Sequence, residues 1–241
     1  MPQKLNTRDT QILDFYRDLQ SPAKGLPEDI AVMNPYQQGD AEVWRLLKFF
    51  YEKFYKDTRP RGLILGINPG RLGAGITGIP FTDAPALRQH CGIETSLETR
   101  EVSATFIYQV IEAYGGARAF YQDWFIGAVC PLGFVRRKAE NRWVNYNYYD
   151  RAALEERLRP FIAEQLLRQR EICGHPSRAI VLGSGKNYQY LQKRNQQEGW
   201  FDQVIPLEHP RYIMQYRRKQ MNEYLEKFVE TLQSCAPPRK P

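Results

Sequence analysis

The apolar run Leu63, Ile64, Leu65 and Ile67 is cut off at Asn68-Pro69-Gly70, and no other stretch constrains the fold as tightly. A short, unbroken apolar segment of this kind fits a strand buried on both faces, which is the habit of parallel sheets. Asn-Pro-Gly then ends the strand abruptly. In open parallel sheets ligands bind beyond the carboxyl ends of the strands, so Asn68 stands where a ligand is expected. Behind it come Gly70, Gly73, Gly75 and Gly78. Their backbone can approach a ligand closely and turn N–H groups towards an anion.

The rest of the chain alternates helix-like and strand-like segments. Residues 7–20 carry Ile12, Leu13, Phe15, Tyr16 and Leu19 at helical spacing, with Thr7 or Asp9 as cap. Residues 21–39 read as an extended arm, and Asp40 is placed to cap a helix whose Val43, Leu46, Leu47, Phe50 and Phe54 share one face. A short helix is expected over 83–91, then a helix from Val102 that Gly115-Gly116 stops. Residues 124–129 are the second strand. A polar, aromatic connection with Asn141, Asn145, Tyr146, Asn147, Tyr148 and Tyr149 leads to a helix over 151–172 that Pro160 should kink or divide. Residues 179–182 and 203–207 are the third and fourth strands with a polar helix between them. A helix over 217–232 closes the domain before a frayed tail at 235–241. The expected fold is therefore α/β: one three-layer α/β/α domain over residues 1–241, with a central, mostly parallel four-stranded sheet and an N-terminal helix and arm over 1–39.

Composition narrows the partners. A chain of 241 residues and 28.2 kDa suits one medium-sized domain. The net charge of +7, with a pI near 9.2, favours a polyanion. Cys91, Cys130, Cys173 and Cys235 are scattered without a Cys-x-x-Cys pair, which argues against a zinc or iron–sulfur site and for reduced thiols. The first residues lack a signal-peptide core and no run approaches membrane-spanning length. An intracellular protein is expected, cytoplasmic in a bacterium and nuclear in a eukaryote. Gly183-Ser184-Gly185-Lys186 lacks the span, and the Ser or Thr after Lys, that a nucleotide phosphate loop needs.

Two motifs at a fixed spacing carry a family likeness. Gly66-Ile67-Asn68-Pro69-Gly70 and Thr77-Gly78-Ile79-Pro80-Phe81 resemble the first motif of the uracil-DNA glycosylase superfamily. The likeness is nearest to its single-strand-selective monofunctional (SMUG) family. Glu101-Val102-Ser103 and Cys130-Pro131-Leu132 match later segments of that family, and Val32-Met33-Asn34-Pro35-Tyr36 an earlier one, so the resemblance runs from Val32 to the last helix. It implies a monomeric, monofunctional DNA glycosylase for uracil and other deaminated bases, acting on single- or double-stranded DNA, and the small Ala128 where the family has Asn leaves room for a purine such as xanthine as well. No cofactor, metal or lyase step is expected, and the absence of cysteine clusters sets the chain apart from the cluster-bearing branches.

Cleaving an N-glycosidic bond needs a base that departs as an anion and a water on the far face of the sugar. The Asn68 side-chain oxygen can orient that water without adding a charge. By resemblance, His209 donates a hydrogen bond to the departing base and Phe81 stacks on it. Gly66, Ile67, Ala128 and Cys130 would surround the base. Pro69, Gly70, Gly73, Gly183, Ser184, Lys186, Pro210, Arg211 and Tyr212 would meet DNA, Arg211 and Tyr212 as the wedge filling the duplex gap, with Arg217, Arg218 and Lys219 beyond them. Two departures stand out. The family's His-Pro-Ser-Pro-Arg is shortened to His209-Pro210-Arg211, and Ala128 replaces the Asn that reads the uracil edge. A non-catalytic DNA-binding protein of the same fold, or a hydrolase of free nucleosides or nucleotides, are the alternatives.

Overall fold

The computed structural model describes residues 6–22, 25–37, 41–139 and 142–238. The chain opens with α1 (Arg8–Arg17), β1 (Ile30–Met33) and α2 (Ala41–Tyr55), then enters the sheet through β2 (Gly62–Gly66). Next come the one-turn α3 (Ala74–Thr77) inside the glycine loop, α4 (Ala84–Cys91), α5 (Val102–Tyr114), α6 (Gly116–Asp123) and β3 (Trp124–Ala128). A hairpin of β4 (Gly133–Arg137) and β5 (Trp143–Tyr146) precedes the long α7 (Ala152–Ile172). The chain ends with β6 (Arg178–Leu182), α8 (Lys186–Glu198), β7 (Gln203–Leu207), α9 (Pro210–Tyr216) and α10 (Met221–Cys235).

The central sheet is parallel throughout, in the order β3-β2-β6-β7. Every residue of β2 and β3 is buried, as a strand covered on both faces requires. Ile64, Ile126, Ile180 and Leu207 form one apolar seam with Ile107 and Val110 of α5, Phe120 of α6, and Phe228 and Leu232 of α10. On the other side α8 packs on β6 and β7, and α7 reaches the free edge of β3. This α/β sandwich brings the carboxyl ends of β2, β3 and β7 to one rim. Among the described residues, no helix is long and apolar enough to cross a membrane.

The structure departs from the expectations at several points. The arm and the polar connection form a second, antiparallel sheet, β1-β4-β5, with Val32 opposite Phe134 and Val135 opposite Asn145. Gly115-Gly116 does stop α5, but positive φ at both glycines turns the chain straight into α6. Pro160 does not divide α7. It lies on the exposed face, where the carbonyl it leaves unbonded reaches water, while Leu154, Leu158, Ile162 and Leu166 keep the buried stripe continuous. Thr7 stands at the N-cap of α1 without a side-chain capping bond, and the expected cap Asp40 lies outside the described residues. The last helix begins at Met221 rather than 217 and runs on to Cys235.

Candidate active site

A cavity of about 290 Å³ opens at the common rim, lined on one side by Asn68, Pro69 and Gly70 and on the other by Phe81, Ala128 and His209. That volume sits at the small end of ligand sites. Asn68 follows directly on β2, and its amide is held from two sides. Its Nδ2 donates to the Tyr146 carbonyl at 3.3 Å and its Oδ1 accepts from the Tyr148 N–H at 3.3 Å. These partners assign the amide orientation, and Oδ1 keeps a second lone pair for a water or ligand.

Tyr148 is fixed in turn by a residue the sequence did not single out. Its hydroxyl donates to Asn187 Oδ1 at 2.8 Å, and the fully buried Asn187 donates through Nδ2 to the Leu182 and Gly66 carbonyls. One buried amide thereby ties the ends of β2 and β6 to the segment that orients Asn68.

His209 stands two residues beyond β7 and caps α9, its Nδ1 accepting the Arg211 N–H at 3.1 Å. An Nδ1 acting as acceptor places the proton of a neutral ring on Nε2. Burial first, and then the Arg211 charge, lower the imidazole pKa to about 4, so the ring is neutral at physiological pH. Phe81 lies 6.0 Å from His209 between ring centroids. Its φ of 51° is a left-handed conformation that costs a non-glycine residue about 1 kcal/mol or more. Thr77, fully buried, enforces it by donating from Oγ1 to the Thr82 carbonyl at 2.8 Å and accepting the Ile79 N–H. Gly66 makes room for the ring, since a Cβ there would lie 2.9 Å from Phe81 Cε2.

Ala128 faces the cavity, but its backbone is spent. Gln169 of α7 accepts the Ala128 N–H at 3.1 Å and donates to the Ala128 carbonyl at 3.0 Å, as a neighbouring strand would. Gln169 is fully buried and also presses on Gly127, where a Cβ would collide with its Oε1. Replacing Gln169 with Ala should cost about 2–4 kcal/mol, because it leaves two buried backbone groups unpaired at a sheet edge. Urea unfolding of wild type and variant checks this.

The family model of the uracil DNA glycosylase superfamily matches residues 52–233. The chain belongs to that superfamily. Among solved structures, wild-type SMUG2 of Pedobacter heparinus is similar to it at 40% identity, over 95% of this chain and 97% of that one, with a TM-score of 0.91. Among curated proteins none matches the chain.

Most of the residues that the superfamily motifs singled out meet at this cavity: Gly66, Ile67, Asn68, Pro69, Gly70, Phe81, Ala128, His209 and Arg211 line it. Cys130 does not. It is fully buried with its thiol pushed up to about 12 by desolvation, and its N–H is taken by the Ile67 carbonyl. Gly73 sits behind the loop against Glu101. Gly183, Ser184 and Lys186 lead into α8 near the rim, outside the cavity lining; a Cβ at Gly183 would be 3.9 Å from the Ile67 side chain. Pro210 is buried in the first turn of α9. Tyr212 is exposed beside it, its ring 5.6 Å from that of Tyr216 and under the Arg217 guanidinium.

Asn145 and Asn147 also line the cavity, whereas Asn141 lies outside the described residues. Asn145 Oδ1 accepts the Arg71 N–H at 3.0 Å, which leaves its amide donors turned elsewhere. Glu101 and Ser103 complete the wall. The Glu101 carboxyl is pushed up to about 7 by burial and by the Asp83 carboxylate, with Arg211 opposing, and its Oε2 has no hydrogen-bond partner among the described residues. The Glu-Val-Ser signature marked the position; its role as cavity wall follows only from the way α5 meets the glycine loop. Among the described residues, no cluster of three or more His, Cys, Asp and Glu side chains is placed to hold a metal.

Proposed function

We propose that the protein is a monofunctional DNA glycosylase that hydrolyses the N-glycosidic bond of uracil and of other deaminated bases, xanthine among them, in DNA. The observation that carries this reading is the convergence of an oriented Asn68 amide and a neutral His209 with its Nε2 proton free, in one cavity that Phe81 closes from the side. A base turned out of the helix lies against Phe81. As the C1′–N bond breaks, its electron pair leaves with the base, and the Nε2–H of His209 donates to the carbonyl oxygen on which charge develops. The Asn68 oxygen holds a water on the opposite face of the sugar; the water adds to C1′ and loses its proton to solvent. Among the described residues no lysine lines the cavity, so none of them offers an amine for a Schiff-base step.

Specificity rests on Ala128. A side-chain amide at this position would leave its polar groups unpaired against a mismatched base, and a methyl group exacts no such penalty. The methyl also leaves room for a purine. The remaining amides are those of Asn145 in β5 and Asn147 just after it. Wild type is expected to release both uracil and xanthine from oligonucleotides, and Ala128→Asn to narrow the range towards uracil by about tenfold or more. Single-turnover rates on the two substrates decide it. Strict uracil specificity in the wild type would contradict the role given to Ala128.

A further inference from the structure

A second depression, of about 370 Å³, adjoins the candidate base cavity and shares with it the wall formed by Gly70, Glu101, Ser103, Asn145 and Arg211. Three guanidinium groups surround it, from Arg71 after the Asn-Pro-Gly turn, Arg100 before α5 and Arg211 in α9. All three residues are exposed, and none forms an ion pair among the described residues. This is unlike Arg136 and Arg151 nearby in the fold, which both pair with Asp29. The Glu101 carboxyl offsets at most one of the three charges. Leu72 and Val102, 49% and 48% exposed, add apolar surface between the arginines. Arg71 is also held in place, because its backbone N–H is fixed to Asn145 of β5.

From this juxtaposition we infer that the depression is a subsite for the nucleotide adjoining the target on the same strand, with Arg71 and Arg100 on its phosphates and Leu72 and Val102 against its sugar or base. Unpaired arginines suit phosphate oxygens, and their flat faces tolerate any base. A strand whose target base fills the first cavity must run past its mouth, and the shared wall makes this groove the continuation of that mouth. The inference rests on the reading of the first cavity as the seat of a flipped nucleotide.

The test is binding of a single-stranded oligonucleotide carrying one tetrahydrofuran abasic analogue, measured by fluorescence anisotropy over a range of salt. Arg71→Ala/Arg100→Ala should weaken binding about tenfold or more and flatten the plot of log affinity against log salt by about 1.4, two contacts at roughly 0.7 each. Arg178→Ala, an exposed arginine at the opposite end of the sheet, should leave the slope unchanged. Ending the oligonucleotide immediately on one side of the analogue should reproduce the loss in the wild type and cost the double variant little more; ending it on the other side should not. An unchanged slope in the double variant, or equal sensitivity to both truncations, would overturn the subsite. Base release from a uracil oligonucleotide, followed in parallel, separates the two readings. If the wild type releases no base while the arginine-dependent slope and one-sided truncation effect hold, the catalytic reading fails and the subsite stands.

Discussion

Asn68→Ala is expected to lower the single-turnover rate of base release by about 10²–10⁴-fold while DNA affinity changes less than threefold or so. In the proposed mechanism the oriented amide oxygen acts on the attacking water and so on the transition state, whereas affinity would come mainly from phosphates. The substitution also strips partners from the Tyr146 carbonyl and the Tyr148 N–H, so it should lower stability by about 1–3 kcal/mol. Rates are therefore to be compared well below both melting temperatures. A near-normal rate in a folded variant would place the water elsewhere.

His209→Ala should cost about 10²–10³-fold in the same rate, the loss of one aimed donor at a developing anion. Its pH behaviour separates a neutral donor from a charged one. The folded-state pKa near 4 lies below the ordinary 6.5, so the ring stays neutral, and protonation of the imidazole should depress the rate only below about pH 4–5; any change nearer neutrality belongs to Glu101, raised to about 7, and should vanish in Glu101→Gln. Protonation would put an N–H at Nδ1 against the Arg211 N–H that it now accepts. The unfolded chain binds the extra proton between about pH 6.5 and 4. The contribution of His209 to stability is thus present above about 6.5 and lost as pH falls towards 4, and the deficit should be about 1–3 kcal/mol relative to His209→Ala. Melting temperatures across that window, with the pH–rate profile, measure both effects.

The rim that carries the candidate site was legible because its signals are local. An apolar run broken by Asn-Pro-Gly and a histidine behind the last strand each announce a strand end, and parallel topology puts both ends on one rim. The second sheet was hidden for the opposite reason: β1 meets β4 across a hundred residues, and β1 (Ile-Ala-Val-Met) and β5 (Trp-Val-Asn-Tyr) are short segments whose sequences show no polar–apolar alternation to mark them. Gln169 and Asn187 were invisible in the same way. Each sits in a helix rich in polar residues, and only the packing of that helix against an open strand edge or a strand end turns its amide into a buried partner for backbone. Cys130 shows the limit of carrying over a motif, because a matching Cys-Pro-Leu places the residue beneath the cavity rather than in it.

The most direct measurement is incubation of the protein with a 5′-labelled oligonucleotide containing a single uracil, in the presence of a chelator, analysed with and without hot alkali. A monofunctional glycosylase that works through Asn68 and His209 leaves an abasic site, so the strand should break at the uracil position only after alkali, and neither variant should produce that break at the wild-type rate. An intact strand after alkali, cleavage without it, or activity confined to free nucleosides would contradict the account.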